Sequence, residues 1–171
     1  MVYMRLLIKP QPRMDGATMD QTDAKILDIL QTNASLSATE VAGQANIDVQ
    51  ECADRIQRME DEGVLLERVA LVDARKVGAN MTAFVAITTP EHSTEWLEGF
   101  HTAVSGFPEV VEFYRMSGQV DYLLRVVVPD IDAYDAFYKK LIASANLKDV
   151  SSTFAIEQIK FTSKLPVTVV D

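Results

Sequence analysis

Ser37-Ala-Thr-Glu-Val-Ala-Gly-Gln-Ala-Asn-Ile-Asp-Val-Gln-Glu-Cys-Ala-Asp-Arg-Ile-Gln-Arg-Met-Glu-Asp-Glu-Gly63 decides how the first half of this 171-residue chain folds. It opens on a capping box, because the Ser37 hydroxyl is spaced to accept from the Glu40 amide while the Glu40 carboxylate reaches back to Ser37. Val41 and Ala42 follow, and the spacing predicts a short helix that stops near Asn46. Asp48 then caps a longer helix in which Val49, Cys52, Ala53, Ile56 and Met59 recur at i, i+3, i+4, i+7 and i+10. Gly63 stands where a helix of that length needs its C′ residue. Two helices separated by a short turn, the second longer and amphipathic, make a helix-turn-helix.

Working outward, Ile26, Ile29 and Leu30 form an earlier helical stripe that Leu27 widens, ending near Asn33. Asp20 and Asp23 sit at its start, where the helix dipole favours negative charge. Residues 1–19 contain Pro10, Pro12 and Gly16, no sustained period, and a charge of about +2 from Arg5, Lys9 and Arg13 against Asp15, so a flexible extension is expected. The helix-turn-helix domain is then residues 20–63. On the other side, Val64 to Val72 is rich in Val and Leu and reads as a strand, with Asp73 to Asn80 as a hinge; 64–80 is a linker.

From residue 81 the pattern becomes strand, helix, strand, strand, helix, strand. Met81 to Thr88 is the first strand. Ser93 to about Ser105 is a helix carrying Trp96, Leu97, Phe100 and Val104, weakened by about 1 kcal/mol by Gly99. Val110 to Ser117 and Tyr122 to Val128 are strands joined tightly around Gly118. Asp132 is expected to cap a helix with Tyr134, Phe137, Tyr138, Leu141 and Ile142 at helical spacing, and Ser151 to Thr162 closes the sheet. This βαββαβ order is the ferredoxin-like plan, in which helices cover one face. Tyr122, Leu124, Val126 and Val128 point to one face, Leu123 and Val127 to the other. Both faces are apolar, so the uncovered one needs a partner, most simply a second copy of the chain.

Composition narrows the classes. At 48% apolar and 24% charged, with 7 Gly and 6 Pro, the chain is poorly matched to disordered or fibrous proteins. One cysteine excludes an intrachain disulfide, and with two histidines it leaves a zinc or haem centre few ligands; no metal or cofactor is expected, and the setting is a reducing one. Apolar runs fall far short of the roughly 18 residues of a membrane span, and Leu6 to Ile8 is too short for a signal peptide. A soluble, cytoplasmic protein without membrane contact is expected. Sixteen cationic against 25 acidic side chains, a net charge of −9, speak against indiscriminate polyanion binding. No Gly-rich phosphate loop, nucleophile elbow or paired histidine and carboxylate is present, so catalysis is not expected.

Three runs carry a family resemblance: Met19-Asp-Gln-Thr-Asp-Ala-Lys-Ile-Leu27, Arg55-Ile-Gln-Arg-Met-Glu-Asp-Glu-Gly-Val64 and Ser117-Gly-Gln-Val-Asp-Tyr-Leu-Leu124. In this order, and across about residues 20–167, the chain resembles the Lrp/AsnC (feast/famine) transcriptional regulators. The resemblance implies an α+β protein: a winged-type helix-turn-helix that binds DNA, then a ferredoxin-like, RAM- or ACT-like domain over residues 81–171. In the family that domain dimerises, commonly assembles into octamers, and binds small amino acids between dimers. The segments Thr82-Ala-Phe-Val85, His92-Ser-Thr-Glu-Trp96 and Ser152-Thr-Phe-Ala-Ile-Glu-Gln-Ile-Lys160 resemble a subgroup associated with cysteine detoxification, which makes cysteine the candidate effector.

The candidate DNA-reading residues are Gln50, Asp54, Arg55 and Arg58: Gln can pair with adenine and Arg with guanine, whereas the competing reading of the arginines is ion pairing within the helix. Relatives usually carry Lys, Arg, Ser or Thr on this face. Here residues 20–63 hold three cations against ten carboxylates, a net of −7. The alternative is therefore an effector-binding module without DNA binding of its own, acting through partner regulators. The candidate effector residues are Gly118, Gln119, Asp121, Tyr122 and Ser152. A glycine admits close backbone approach, a carboxylate can hold an ammonium and a hydroxyl a carboxylate, against the bland reading of an ordinary turn and a solvated strand. Gln119 stands where relatives commonly have an acidic residue. Cys52 is expected to be a buried hydrophobe, and His92 and His101 surface residues.

Overall fold

The computed structural model describes residues 19–169, so all but the last residue of the expected N-terminal extension lies outside the described residues. Three helices come first: α1 (Gln21–Thr32), α2 (Ala38–Ala45) and α3 (Val49–Asp61). Each starts on a side-chain cap. Asp20 accepts from the Asp23 amide at 2.8 Å while Asp23 accepts from the Asp20 amide at 3.1 Å, and Ser37 and Glu40 form a second capping box. Asp48 accepts from the amides of Gln50 and Glu51. Gly63, at φ 71°, ends α3 in a Schellman turn, with Val64 N–H donating to the Met59 carbonyl and Gly63 N–H to that of Glu60.

Ile26, Leu30, Val41, Cys52, Ile56 and Met59 close the core of this unit. Val49 does not join them; it is the first residue of α3 and is 44% exposed, because the stripe turns inward only from Cys52. Residues 160–169 pack with the same unit. The Gln31 carboxamide donates to the Leu165 carbonyl and accepts from its amide, Lys164 pairs with Asp28 at 2.6 Å, and Val167 lies against the core.

The segment expected as a strand, Val64 to Val72, forms none, and the helix-turn-helix has no wing strand among the described residues. A strand exists only where its backbone groups pair with a neighbour, and this segment pairs with none among the described residues. Leu66, Val69, Leu71 and Val72 are exposed. The expected hinge contains a 3₁₀ turn, Ala74–Val77, capped by Asp73.

The second unit runs β1 (Met81–Thr88), α4 (Thr94–Ser105), β2 (Val110–Arg115), β3 (Tyr122–Val128), α5 (Ile131–Ser144) and β4 (Asp149–Phe154). Its antiparallel sheet has the order β2-β3-β1-β4, with Val85 opposite Leu124 on one side and Ser152 on the other. Val85, Ile87, Leu124 and Val126 face the two helices and pack on Phe100 and Phe137. The other face carries Phe84, Ala86, Leu123, Arg125 and Val127 with no helix over it among the described residues, as the alternation predicts.

Three details differ from expectation. Asp130, not Asp132, caps α5, because its side chain accepts from the Ala133 amide. Strand β4 stops at Phe154, a last bond runs from Ala155 N–H to the Thr82 carbonyl, and 156–162 leave the sheet. Ile142 is exposed on the outer side of α5.

Candidate functional site

α3 presents one shallow depression lined by Asp48, Gln50, Glu51, Asp54, Arg55 and Arg58. All four residues expected to read DNA line it. The three donors among them, Gln50, Arg55 and Arg58, end on carboxylates. Gln50 Nε2 donates to Asp54 Oδ1 at 2.9 Å, one turn on. Arg55 donates to Glu51 at 2.9 Å, the expected i,i+4 pair, and also reaches α1, bonding Asp20 at 2.8 Å and Asp23 at 2.9 Å. Arg58 Nη2 donates to Asp23 Oδ2 at 2.7 Å.

Asp23 is the centre of this network and is 1% exposed. Burial alone would raise its pKa, but hydrogen bonds from Arg58, the Asp20 amide and Arg55 outweigh it, so its carboxyl titrates below the usual value. Asp20 is lowered by the Asp23 amide and Arg55; both arginines are raised by these carboxylates. Reading the sequence for caps and dipoles missed Asp23 and Asp20 as partners. A signal was there: an acidic i,i+3 pair at Asp20 and Asp23 matches a cationic i,i+3 pair at Arg55 and Arg58 in both spacing and sign.

The turn between β2 and β3 is the second candidate surface. Gly118 has φ 140°, a region other residues rarely adopt, and a Cβ there would meet open space. Asp121 anchors the turn: its amide donates to the Ile87 carbonyl, its carbonyl accepts from the Met116 amide, and its Oδ2 accepts from Thr89 N–H at 2.8 Å. His92 Nε2 lies 3.9 Å from Oδ1, too far for a hydrogen bond, and among the described residues that oxygen has no hydrogen-bond partner. Asp121 thus ties the exposed turn of Gly118 and Gln119 to the buried Thr89 and brings it near the exposed His92. Tyr122 and Ser152 do not belong to it. The Tyr122 ring is 2% exposed, packed against Phe100 and Phe113, and Ser152 faces the helices, where its hydroxyl bonds that of Tyr134.

Cys52 is fully buried, and burial, with the nearby Glu51 charge, raises its pKa, which keeps it a thiol. His101 is half-buried rather than on the surface, its ring edge-on to Phe113 at 5.1 Å; burial and then Arg115 lower its pKa. Among the described residues no three His, Cys, Asp or Glu side chains converge to hold a metal ion, and no helix is long and apolar enough to cross a membrane.

Comparison with known proteins covers both units. The AsnC-type helix-turn-helix domain matches residues 19–60, which hold α1, α2 and nearly all of α3, and the Lrp/AsnC ligand binding domain matches residues 82–165. The DNA-binding transcriptional activator DecR of Escherichia coli K12 is 47% identical over 150 residues, covering 87% of this chain and 99% of that one. The crystal structure of an AsnC family transcriptional regulator from Agrobacterium tumefaciens superposes with a TM-score of 0.83 at 57% identity, over 86% of this chain and 97% of the other. A transcriptional regulator from Neisseria meningitidis, solved in complex with L-Met, superposes at 0.81 with 30% identity, over 87% and 97%. With its own helix-turn-helix and its own ligand-binding sheet domain, the chain belongs to the Lrp/AsnC family of effector-responsive, DNA-binding transcriptional regulators.

Proposed function

We propose that this regulator works in the cytoplasm as a homodimer, assembling further to an octamer, and that a small amino acid, with cysteine the first candidate, binds beside Gly118, Gln119 and Asp121. The observation that carries the reading is the likeness, over 87% of this chain, to a regulator solved with L-Met. In support, Asp121 Oδ1 accepts no hydrogen bond among the described residues and is suited to an α-ammonium, while Gln119 offers a neutral amide. Effector binding favours one arrangement of the assembly, and DNA affinity shifts by linkage through the spacing of the paired α3 helices. In this reading α3 meets the major groove with Gln50, Asp54, Arg55 and Arg58, and Arg58 carries the direct contact because Arg55 is enclosed by three carboxylates. No catalytic step is involved.

A mobility shift on the chain's own upstream region, repeated with each common amino acid, tests this. At least one amino acid should change the apparent Kd by fivefold or more, about 1 kcal/mol of coupling. Gln119→Ala should abolish that change while leaving affinity without effector intact. A wild-type protein indifferent to every amino acid contradicts the effector reading. A second reading, a module that acts through partner regulators, draws on the carboxylate partners of both α3 arginines. Binding to a basic relative, with no shift of any DNA at low salt, would establish it.

A further inference from the structure

We propose that Asp23 is a specificity-determining positioning residue for DNA recognition: it holds the Arg58 guanidinium in one orientation toward the groove and away from indiscriminate phosphate contact. The inference rests on the DNA-contacting role given to α3 above and names a residue on a different helix.

The geometry of one carboxylate carries it. Asp23 is the third residue of α1, and its two oxygens take three donors: Oδ2 from Arg58 Nη2 at 2.7 Å and from the Asp20 amide at 3.1 Å, Oδ1 from Arg55 Nη1 at 2.9 Å. These bonds fix the carboxylate itself. It belongs to the capping box that starts α1, and its side chain is almost wholly buried. A rigid acceptor of this kind sets the orientation of whatever it holds.

Arg55 and Arg58 are held differently. Arg55 is 23% exposed and spends its donors on Asp20, Asp23 and Glu51, so it ties α3 to α1. Arg58 is 39% exposed, and Asp23 is its one carboxylate partner among the described residues. A guanidinium has five N–H donors in a planar fork. One end of the Arg58 fork is anchored and the remainder is open on the lining of the α3 depression. An anchored fork presents paired donors in one plane, as a bidentate contact to a base edge requires, whereas a free one follows the phosphates. The same negative charge offsets the attraction of Arg58 for the backbone. Asp23 thus trades general affinity for selectivity.

The test is a double-mutant cycle between Asp23→Asn and Arg58→Ala in the full chain, with titrations of the upstream fragment and of a scrambled duplex at several salt concentrations. Asp23→Asn should tighten binding to the scrambled duplex, steepen the slope of log affinity against log salt by about two per dimer as each Arg58 gains a phosphate, and cut the specific-to-scrambled ratio tenfold or more. In the Arg58→Ala background, Asp23→Asn should leave that ratio unchanged. Arg58→Lys, which keeps the charge without the fork, should lose the ratio and keep the slope. If thermal melting shows Asp23→Asn unfolded at the assay temperature, Asp23→Glu replaces it; the longer carboxylate shifts the fork and should lower the ratio with no change of slope. An equal loss of ratio in both backgrounds, or an unchanged ratio in the single variant, overturns the proposal while leaving DNA binding standing. A wild-type protein that shifts no DNA at low salt overturns the DNA-contacting reading and this inference with it.

Discussion

The helical unit and the sheet unit handle exposed functional surface in opposite ways. In the helical unit the functional face is charged, and its charges are already matched: Arg55 and Arg58 of α3 end on Asp20, Asp23 and Glu51, and Gln50 on Asp54. In the sheet unit one face is closed by α4 and α5, while the other leaves Phe84 40% and Tyr114 49% exposed around the ion pair of Arg125 with Glu112 at 2.6 Å. The first surface is matched within one chain, and the second leaves apolar side chains exposed. Matched charge suits a site that must choose among similar polyanions, where affinity without discrimination is a fault. An unmatched apolar face suits an interface that forms once and persists.

Phe84→Asp should break the contrast most severely. It puts a charge at the middle of the open face, opposite Arg125 on β3. Desolvating an ion costs several kcal/mol, so the dimer Kd should rise at least about a hundredfold while each unit stays folded. Light scattering that finds the assembly of the variant unchanged would show that this face is not the interface. Ile26→Ala tests the other half of the contrast. Ile26 is fully buried in the helical core, and its truncation should cost about 2–5 kcal/mol. Helical circular dichroism should report the loss, while the fluorescence melt of Trp96, the chain's one tryptophan, in the sheet unit, stays in place.

Acid separates the two units by a smaller amount. His101 has a depressed pKa, so below its ordinary value of 6.5 the unfolded chain takes up a proton that the folded sheet unit resists. Stability from this source is present above about pH 6.5 and declines as the pH falls from there through the folded pKa. In the helical unit Asp20 and Asp23 are lowered from 3.8, so their contribution is complete above that value and is lost only as the pH falls through their depressed values. Between pH 6.5 and 4 the Trp96 melt should therefore move down before the helical signal does, and His101→Gln should remove that movement. Coincident transitions of both units in the wild-type protein would contradict the assignment.

Much of this was legible in the residues because it is local. The caps at Ser37 and Asp48, the Gly63 stop, and the alternation of Tyr122, Leu124, Val126 and Val128 are decided by neighbours a few positions away, and the structure repeats them. What was misread depends on distant partners. Val64 to Val72 has strand composition, yet it pairs with no neighbouring strand among the described residues. Ser152 looked like a free hydroxyl until α5 brought Tyr134 against it. The arginines of α3 were weighed against carboxylates on their own helix, whereas Asp23 lies 35 positions from Arg58. Residues 160–169 looked like the tail of the sheet domain, and it is Gln31, Asp28 and the helical core that they meet.

The salt dependence of operator binding tests the central claim, a recognition surface whose cations are largely spent on its own carboxylates. Residues 20–63 contain only Lys25, Arg55 and Arg58 as cations, and Arg55 is enclosed by three carboxylates. If Lys25 alone meets one phosphate in both half-sites while Asp23 holds Arg58 off the backbone, Z is about two and the slope of log affinity against log salt is about −1.8. The account predicts a sequence-specific shift with that shallow slope. A slope near −10, or strong binding that ignores sequence, would mean that the arginines leave Asp23 for the DNA backbone and that the account is wrong.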